Sequence, residues 1–291
     1  MPTSMVEPAV LERAPANPGS DGSLRLVVDR VAGRTRIVDL ECTGPIQVLR
    51  CQYLDSGAPD IASVTIASPS GGVLQGDRLR IAVEVRAGAR LTLDTQSATR
   101  LYRMPASPAR IDARFAVAEA AWLEYVPDPY IPFAGSDTTI DTVVAVHQTA
   151  AVVIGEVVAA GRVARGEIFR MTAFQSTVTG VRPSGDLLFT DATVLEAAES
   201  LGDPGMLGGG AAVGSLFVIA ADADPEVLRA AIREHAPGSA QTGASTLPND
   251  AGSWLRVIAP DTAGARATIS AGHDAARMAA LGTASPPSRK L

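Results

Sequence analysis

Only two of the 291 residues are cysteine, three are histidine, and aromatic residues make up 4% of the chain. Cys42 and Cys51 are nine apart, which fits neither a disulfide framework nor the close pairs of a zinc site, so both read as buried small residues in a reducing compartment. His147, His235 and His273 are scattered, and the local His and Cys cluster expected of a tight nickel or zinc store is missing. There is no run of Lys or Arg, and the formal net charge is -6, which leaves no electrostatic footprint for nucleic acid or an anionic membrane. No stretch of about twenty apolar residues occurs, and the first twenty residues contain Glu7, Glu12 and several prolines but no apolar signal core, so a cytoplasmic chain without a membrane span is expected. Neither G-x-S-x-G nor H-E-x-x-H is found, and among 31 acidic residues a notional acid–base pair carries no weight without such a motif.

What is present points to strands. Hydrophobic residues, at 46%, suffice for a sizeable core. Leu24 to Asp29, Thr35 to Leu40, Ile46 to Tyr53, Ile61 to Ala67, Ile111 to Val117, Thr138 to Val146, Ala151 to Val158 and Ser253 to Ala259 alternate or run apolar between clusters of Gly, Pro, Asp and Ser. Helical periodicity is almost absent before residue 200. One helix is expected after Asp224, with Pro225 at its first position and Pro237-Gly238 as its stop, and a second over His273 to Leu281. The reading is a mainly β chain with two short helices near the C-terminal part. Residues 1–22 are expected to be disordered, 23–281 to form a single β domain and 282–291 a flexible tail.

The richest stretch begins at Ser68-Pro69-Ser70-Gly71-Gly72-Val73-Leu74-Gln75-Gly76-Asp77, whose glycines permit positive φ or close backbone approach. Gly71-x4-Gly76 has the spacing of a phosphate-binding loop, but Asp77-Arg78 stands where Lys-Ser/Thr is required, and a carboxylate there repels phosphate. Beyond it Leu79, Ile81, Val83 and Val85 alternate with charged residues; Ala87-Gly88-Ala89 interrupts, and Leu91 and Leu93 resume, which suggests a β-hairpin-like unit.

This turn, with the Gln96-Ser97-Ala98-Thr99-Arg100-Leu101-Tyr102-Arg103 segment, resembles the UreD (UreH) family of urease accessory proteins. Further blocks follow in order: Trp122-Leu123-Glu124-Tyr125-Val126-Pro127-Asp128, Pro132-Phe133-Ala134-Gly135, Glu156 to Arg162, and Arg165-Gly166-Glu167-Ile168-Phe169. The likeness runs from about Gly33 to Asp191 and weakens beyond Glu196, and the chain ends without the Pro-Arg-x-Trp-like close usual in the family. The resemblance implies a layered, β-helix-like stack of sheets, a form that strands recurring with glycine turns would also show.

It also implies a role: a non-enzymatic scaffold that binds apo-urease and, with UreF and through it the GTPase UreG, helps insert nickel into the urease active site. No cofactor is then tightly bound, and nickel is only in transit. Such an ion is best held weakly, by carboxylates and water, since thiolates and imidazoles would trap it. Inward acidic residues would predict a water-filled passage. The resemblance nominates Asp77 and Asp191 for that path; Glu156 joins them because it lies in a matched block and interrupts the apolar run from Val152 to Val158. The Pro127 to Gly135 loop with Tyr130, Pro132 and Phe133, rich in Pro and aromatics, is expected to be exposed as a partner contact. Structural alternatives stand beside these: Asp77 as a turn cap, Glu156 as a partner of Arg162 or Arg165, Asp191 as a turn residue. A β-rich hydrolase or binding module using surface carboxylates is the competing functional class.

Overall fold

The computed structural model describes residues 19–197, 201, 203, 205–220, 223–236 and 238–286. The chain winds between two facing sheets. β1 (Asp21–Val31) and β2 (Arg34–Thr43) form an antiparallel pair in the first sheet; β3 (Gln47–Val48) and β4 (Ala62–Ala67) begin the second. β5 (Arg78–Val85) returns to the first sheet, and β6 (Arg90–Thr95) and β7 (Thr99–Leu101) lie in the second. The alternation repeats with β8 (Ala109–Val117) in the first, β9 (Trp122–Tyr125) and β10 (Tyr130–Pro132) in the second, and β11 (Asp137–Val146) in the first. β12 (Ala151–Ala159) and β13 (Ala173–Val181) add another coil.

After β14 (Leu187–Glu196) folds back on β13, β15 (Ala212–Ile219), α1 (Pro225–His235), β16 (Gln241–Thr246), β17 (Gly252–Ala259) and α2 (Thr262–Leu281) complete the second sheet and its helical cover. The first sheet has the order β14-β13-β11-β8-β5-β1-β2 and the second β16-β17-β15-β12-β9-β6-β4-β3. From β1 to β13 the first sheet is parallel, as are β4, β6, β9 and β12, so the mainly β, β-helix-like stack is the architecture found.

Alternation explains the buried face of each strand. In β5 and β11 every second side chain is buried, and the alternate row of the first sheet carries charge, such as Arg110 with Asp112 at 3.0 Å. β9 and β15 are buried throughout because α1 and α2 cover the outer face of the second sheet. The hairpin expected of β5 and β6 does not form. Gly88, at φ 67, carries the chain from one sheet to the other, so β5 pairs with β1 and β8 while β6 pairs with β4 and β9. Alternation reveals which side of a strand is buried, not which strand lies beside it.

Boundaries differ in three places. β1 begins at Asp21, inside the segment expected to be disordered, while residues 1–18 lie outside the described residues, as do 287–291 of the expected tail. The strand expected over Ile46 to Tyr53 is reduced to Gln47–Val48 and a single bridge from Gln52 to Ser63. α2 begins at Thr262 rather than His273: Asp261 caps it by accepting from the Gly264 N–H at 2.7 Å. Its early turns contain Gly264, Thr268, Ser270 and Gly272, poor helix formers, of which Gly272 lets the helix lie close to the sheet. A Cβ added at Gly272 would stand 3.0 Å from a Leu216 methyl and 3.1 Å from one of Leu255. α1 follows expectation, with Asp224 accepting from the Glu226 N–H at 2.8 Å and Pro225 opening the helix.

Candidate functional site

The space between the sheets holds two apolar clusters, one including Ile154, Val178, Phe189 and Phe217 and the other Val158, Phe174, Leu195 and Val213. Several strands cross from one cluster to the other, and six of them place a polar residue at the crossing, β11 with Thr142 between Ile140 and Val144 among them. β12 has Glu156 between Ile154 and Val158; β13 has Ser176 between Phe174 and Val178; β14 has Asp191 and Thr193 between Phe189 and Leu195; β15 has Ser215 between Val213 and Phe217. β17 has Arg256 between Trp254, packed on the first cluster, and Ile258, packed on the second. Strand periodicity thus converts residues far apart in sequence into one polar band.

The band is tied across the sheets. Ser176 of the first sheet donates to Glu156 of the second at 2.5 Å. Arg256 of the second reaches the first, its Nη2 donating to both Asp191 oxygens at 2.7 and 2.8 Å and its Nη1 to Thr193 Oγ1 at 3.0 Å. Glu156, Ser215 and Arg256 face one another in register across β12, β15 and β17. Arg256 and Asp191 keep 25% and 27% of their side-chain surface in solvent, so the band is partly wet. Burial pushes the Glu156 carboxyl up to about 7; the Ser176 hydroxyl and the Arg256 charge hold it down in part, and Asp191 adds to the rise.

Tyr125 and Tyr130 are buried, near each other and close enough to Glu156 to feel its charge; burial raises Tyr125 to about 12. The same two tyrosines line a cavity of about 90 Å³ whose other walls include Gly72, Gln96, Thr99 and Ile66. The glycine-rich turn and the Gln96 segment, prominent in the sequence, therefore form one wall of an inter-sheet cavity that reaches the tyrosine pair beside the band. Gly72 has to be glycine here, since a Cβ would stand 2.4 Å from the Arg100 carbonyl oxygen.

Of the three carboxylates nominated from sequence, Glu156 and Asp191 come together and Asp77 does not. Asp77, 2% exposed, accepts from the Ser20 N–H and the Leu74 N–H, both at 2.8 Å, and so caps its turn. It precedes β5, four strands along the first sheet from β14, or roughly 19 Å at the usual strand spacing. Asp191 lies within β14 and pairs with Arg256, so it is not a turn residue. Glu156 does not pair with Arg162 or Arg165: Arg162 binds Glu167, its Nε donating at 2.8 Å, and stacks over Phe133 at 4.1 Å. Tyr130 and Pro132 are buried, so of the three residues expected at a partner surface only Phe133 reaches solvent.

A second charged cluster, on the helix side of the second sheet, was not anticipated. Glu124 of β9 accepts from Trp122 Nε1, from Thr92 Oγ1 at 3.0 Å and from Arg277 of α2, and His273 Nε2 approaches it at 3.2 Å. Arg277 also binds Asp55, whose other oxygen accepts the Gly57 and Ala58 N–H groups at 2.8 and 3.0 Å. Glu124 and Arg277 are 1% and 0% exposed. Burial alone would raise the Glu124 carboxyl, but His273, Arg277 and Trp122 more than offset it and hold it below its ordinary range. Among the described residues no three His, Cys, Asp or Glu side chains gather as a metal cage, and no helix is long and apolar enough to cross a membrane.

The family described as UreD urease accessory protein matches residues 20–290. A protein named Urease accessory protein UreD from Haloarcula marismortui is 36% identical, over 97% of this chain and 94% of its own. The one from Yersinia pseudotuberculosis serotype O:1b is 33% identical, over 92% of this chain and 85% of its own. Urease accessory protein UreD 2 of Brucella suis biovar 1 is 33% identical, over 92% and 90%.

Proposed function

Because this chain belongs to the UreD family of urease accessory proteins, we propose that it helps load nickel into urease as a non-catalytic scaffold and conduit. In this reading it acts in the cytoplasm, binds apo-urease and, with UreF and through it UreG, forms part of the route by which the ion reaches the active site. The observation that carries the reading is the polar band: a partly wet row of hydroxyls and carboxylates crossing an otherwise apolar inter-sheet core. A hydrophobic stack of sheets has no packing reason to interrupt itself there, and polar groups are costly to bury without a compensating role.

The donor chemistry suits an ion in passage. Glu156 and Asp191 offer hard oxygen atoms, with Ser176, Ser215 and Thr193 as weak neutral ligands, and no thiolate or imidazole that would retain nickel. In this reading the cavity behind the Gly71 turn, ending at Tyr125 and Tyr130, is the approach to the band, and Asp77 contributes by holding the turn that forms its wall. Phe133, under the Arg162 guanidinium and followed by the exposed Val163 and Ile168, forms the surface offered to UreF or urease.

The test is the nickel content and activity of urease purified from cells expressing its subunits and other accessory proteins, with this chain wild type, absent, or carrying Glu156→Gln or Asp191→Asn. Loading should need the chain and fall in both variants at unchanged chain abundance. Equal loading with and without the chain would end the delivery role, and normal loading in both variants would remove the band from it.

A further inference from the structure

We propose that Arg256 is an internal stand-in for the transported ion: its guanidinium holds the Asp191 carboxylate of the polar band, and a divalent cation binds between Asp191 and Glu156 only when Arg256 swings away. The proposal rests on the passage reading above for the identity of the ion, but on geometry alone for the latch.

Arg256 is the cation that crosses from the second sheet to the first at this level, and its contacts take up both oxygens of Asp191 and the hydroxyl of Thr193. Its charge also bears on Glu156, two strands away in the same row beyond Ser215. A dication bridging Glu156 and Asp191 would need the Asp191 oxygen atoms that the guanidinium now uses. Two positive groups cannot share them, because the like-charge repulsion in this partly dry setting exceeds that in water several-fold. Arginine cannot surrender its charge by losing a proton, so the pair is freed by movement of the side chain and not by any physiological change of pH.

Movement is available. Arg256 keeps a quarter of its side chain in solvent, it lies near the edge of the second sheet with only β16 beyond β17, and its guanidinium already stands 5.6 Å from the Trp254 ring on the same strand. That ring gives the displaced cation a resting place. The latch explains how acidic oxygens inside an apolar stack exist without capturing whichever divalent ion is abundant: the chain carries its own counter-cation until displacement.

The experiment is Ni²⁺ binding to purified full-length chain by equilibrium dialysis, comparing wild type, Arg256→Met and the Arg256→Met/Asp191→Asn double variant, each checked for folding by circular dichroism. Arg256→Met should bind Ni²⁺ on the order of tenfold more tightly than wild type or better, and Asp191→Asn in the same background should cancel the gain. Equal binding in wild type and Arg256→Met, or a gain that survives loss of Asp191, overturns the latch. Should Arg256→Met fail to fold, Thr193→Val loosens the guanidinium without removing it; it should show a smaller gain, and no gain overturns the proposal. Because dialysis reads Ni²⁺ on this chain and not urease activity, normal urease loading in the Glu156→Gln and Asp191→Asn strains would defeat the passage reading while leaving the latch to stand or fall separately.

Discussion

Glu124 and Glu156 leave opposite faces of the same sheet and enter opposite electrostatic worlds. Glu124 is met by an indole N–H, a threonine hydroxyl, Arg277 and His273, and its carboxyl lies below the ordinary range despite burial. Glu156 is met by one serine hydroxyl, feels the charge of an Arg256 that is bound to Asp191, and is pushed up to about 7. The difference teaches that burial does not by itself decide the state of a carboxylate; the number of donors aimed at it does. The helix-side cluster joins the Asp55 loop, β9 and α2 and behaves as a clasp, whereas the inter-sheet band is under-supplied with positive charge and is suited to an exchanging ion.

Breaking the clasp should give the largest effect. Arg277→Met leaves the buried Glu124 and Asp55 without their shared cation, and removal of one partner from a buried ion pair typically costs about 3–5 kcal/mol. Urea unfolding should show that loss with release of α2, while nickel binding to the band should be unaffected apart from the lower stability. A loss under about 1 kcal/mol would mean that water already solvates the cluster, and the contrast with the band would collapse.

Capping at Asp77 comes next. Asp77→Ala orphans the Ser20 and Leu74 N–H groups and should cost about 2 kcal/mol, with Asp77→Asn recovering part of it. Urease loading by Asp77→Asn should be close to wild type once chain abundance is matched, in contrast to Asp191→Asn. A selective loading defect in Asp77→Asn at full stability would instead put this third carboxylate on the ion's route.

The two glutamates should also give opposite pH slopes. Glu156 has a folded value of about 7 against 4.5 unfolded, so the native state holds a proton that the unfolded chain releases between those values. Stability from this group therefore falls as pH rises from about 4.5 to about 7, by roughly 1–3 kcal/mol after allowance for its partial solvation. Glu124 is depressed, so its contribution is present above its unfolded value and is lost as pH falls through the folded one. Glu156→Gln should be more stable than wild type at pH 8 and indistinguishable at pH 4, flattening the slope in urea melts across that window. An unchanged slope would place the raised carboxyl elsewhere.

Much of this architecture was legible in the sequence. The alternation of Leu79, Ile81, Val83 and Val85 fixes the buried face of β5, and Asp224-Pro225 fixes the start of α1, because both signals are local. Strand partnership was not legible: β5 and β6 adjoin in sequence yet belong to different sheets. The band was half visible, since Glu156 interrupts an apolar run, but Ser176, Ser215 and Arg256 become its neighbours only through coiling. Arg256 did leave a trace, a lone charge between Leu255 and Val257 in an otherwise apolar strand. The clasp left less, because Asp55 and Arg277 are 222 positions apart and no spacing rule connects them.

The smallest effect offers the finest test of the contrast. Ser176 is the hydroxyl donor to Glu156 from the facing sheet, and a hydrogen bond to an ionised group is worth about 1.5–3 kcal/mol gross, less where water can replace the donor. Ser176→Ala removes a stabiliser of the charged form, so the Glu156 value should rise further and the variant should lose about 1 kcal/mol at pH 8. At pH 5, where Glu156 is already protonated in the native state, the loss should shrink to a few tenths of a kcal/mol. The matching change on the clasp side, Thr92→Val, removes one of several donors to Glu124, which Arg277 and Trp122 still hold ionised. Its cost should therefore be the same at both pH values. If both variants lost equal stability at pH 5 and pH 8, Glu156 would be as firmly ionised as Glu124, and the band would be a second clasp, not a place for an exchanging ion.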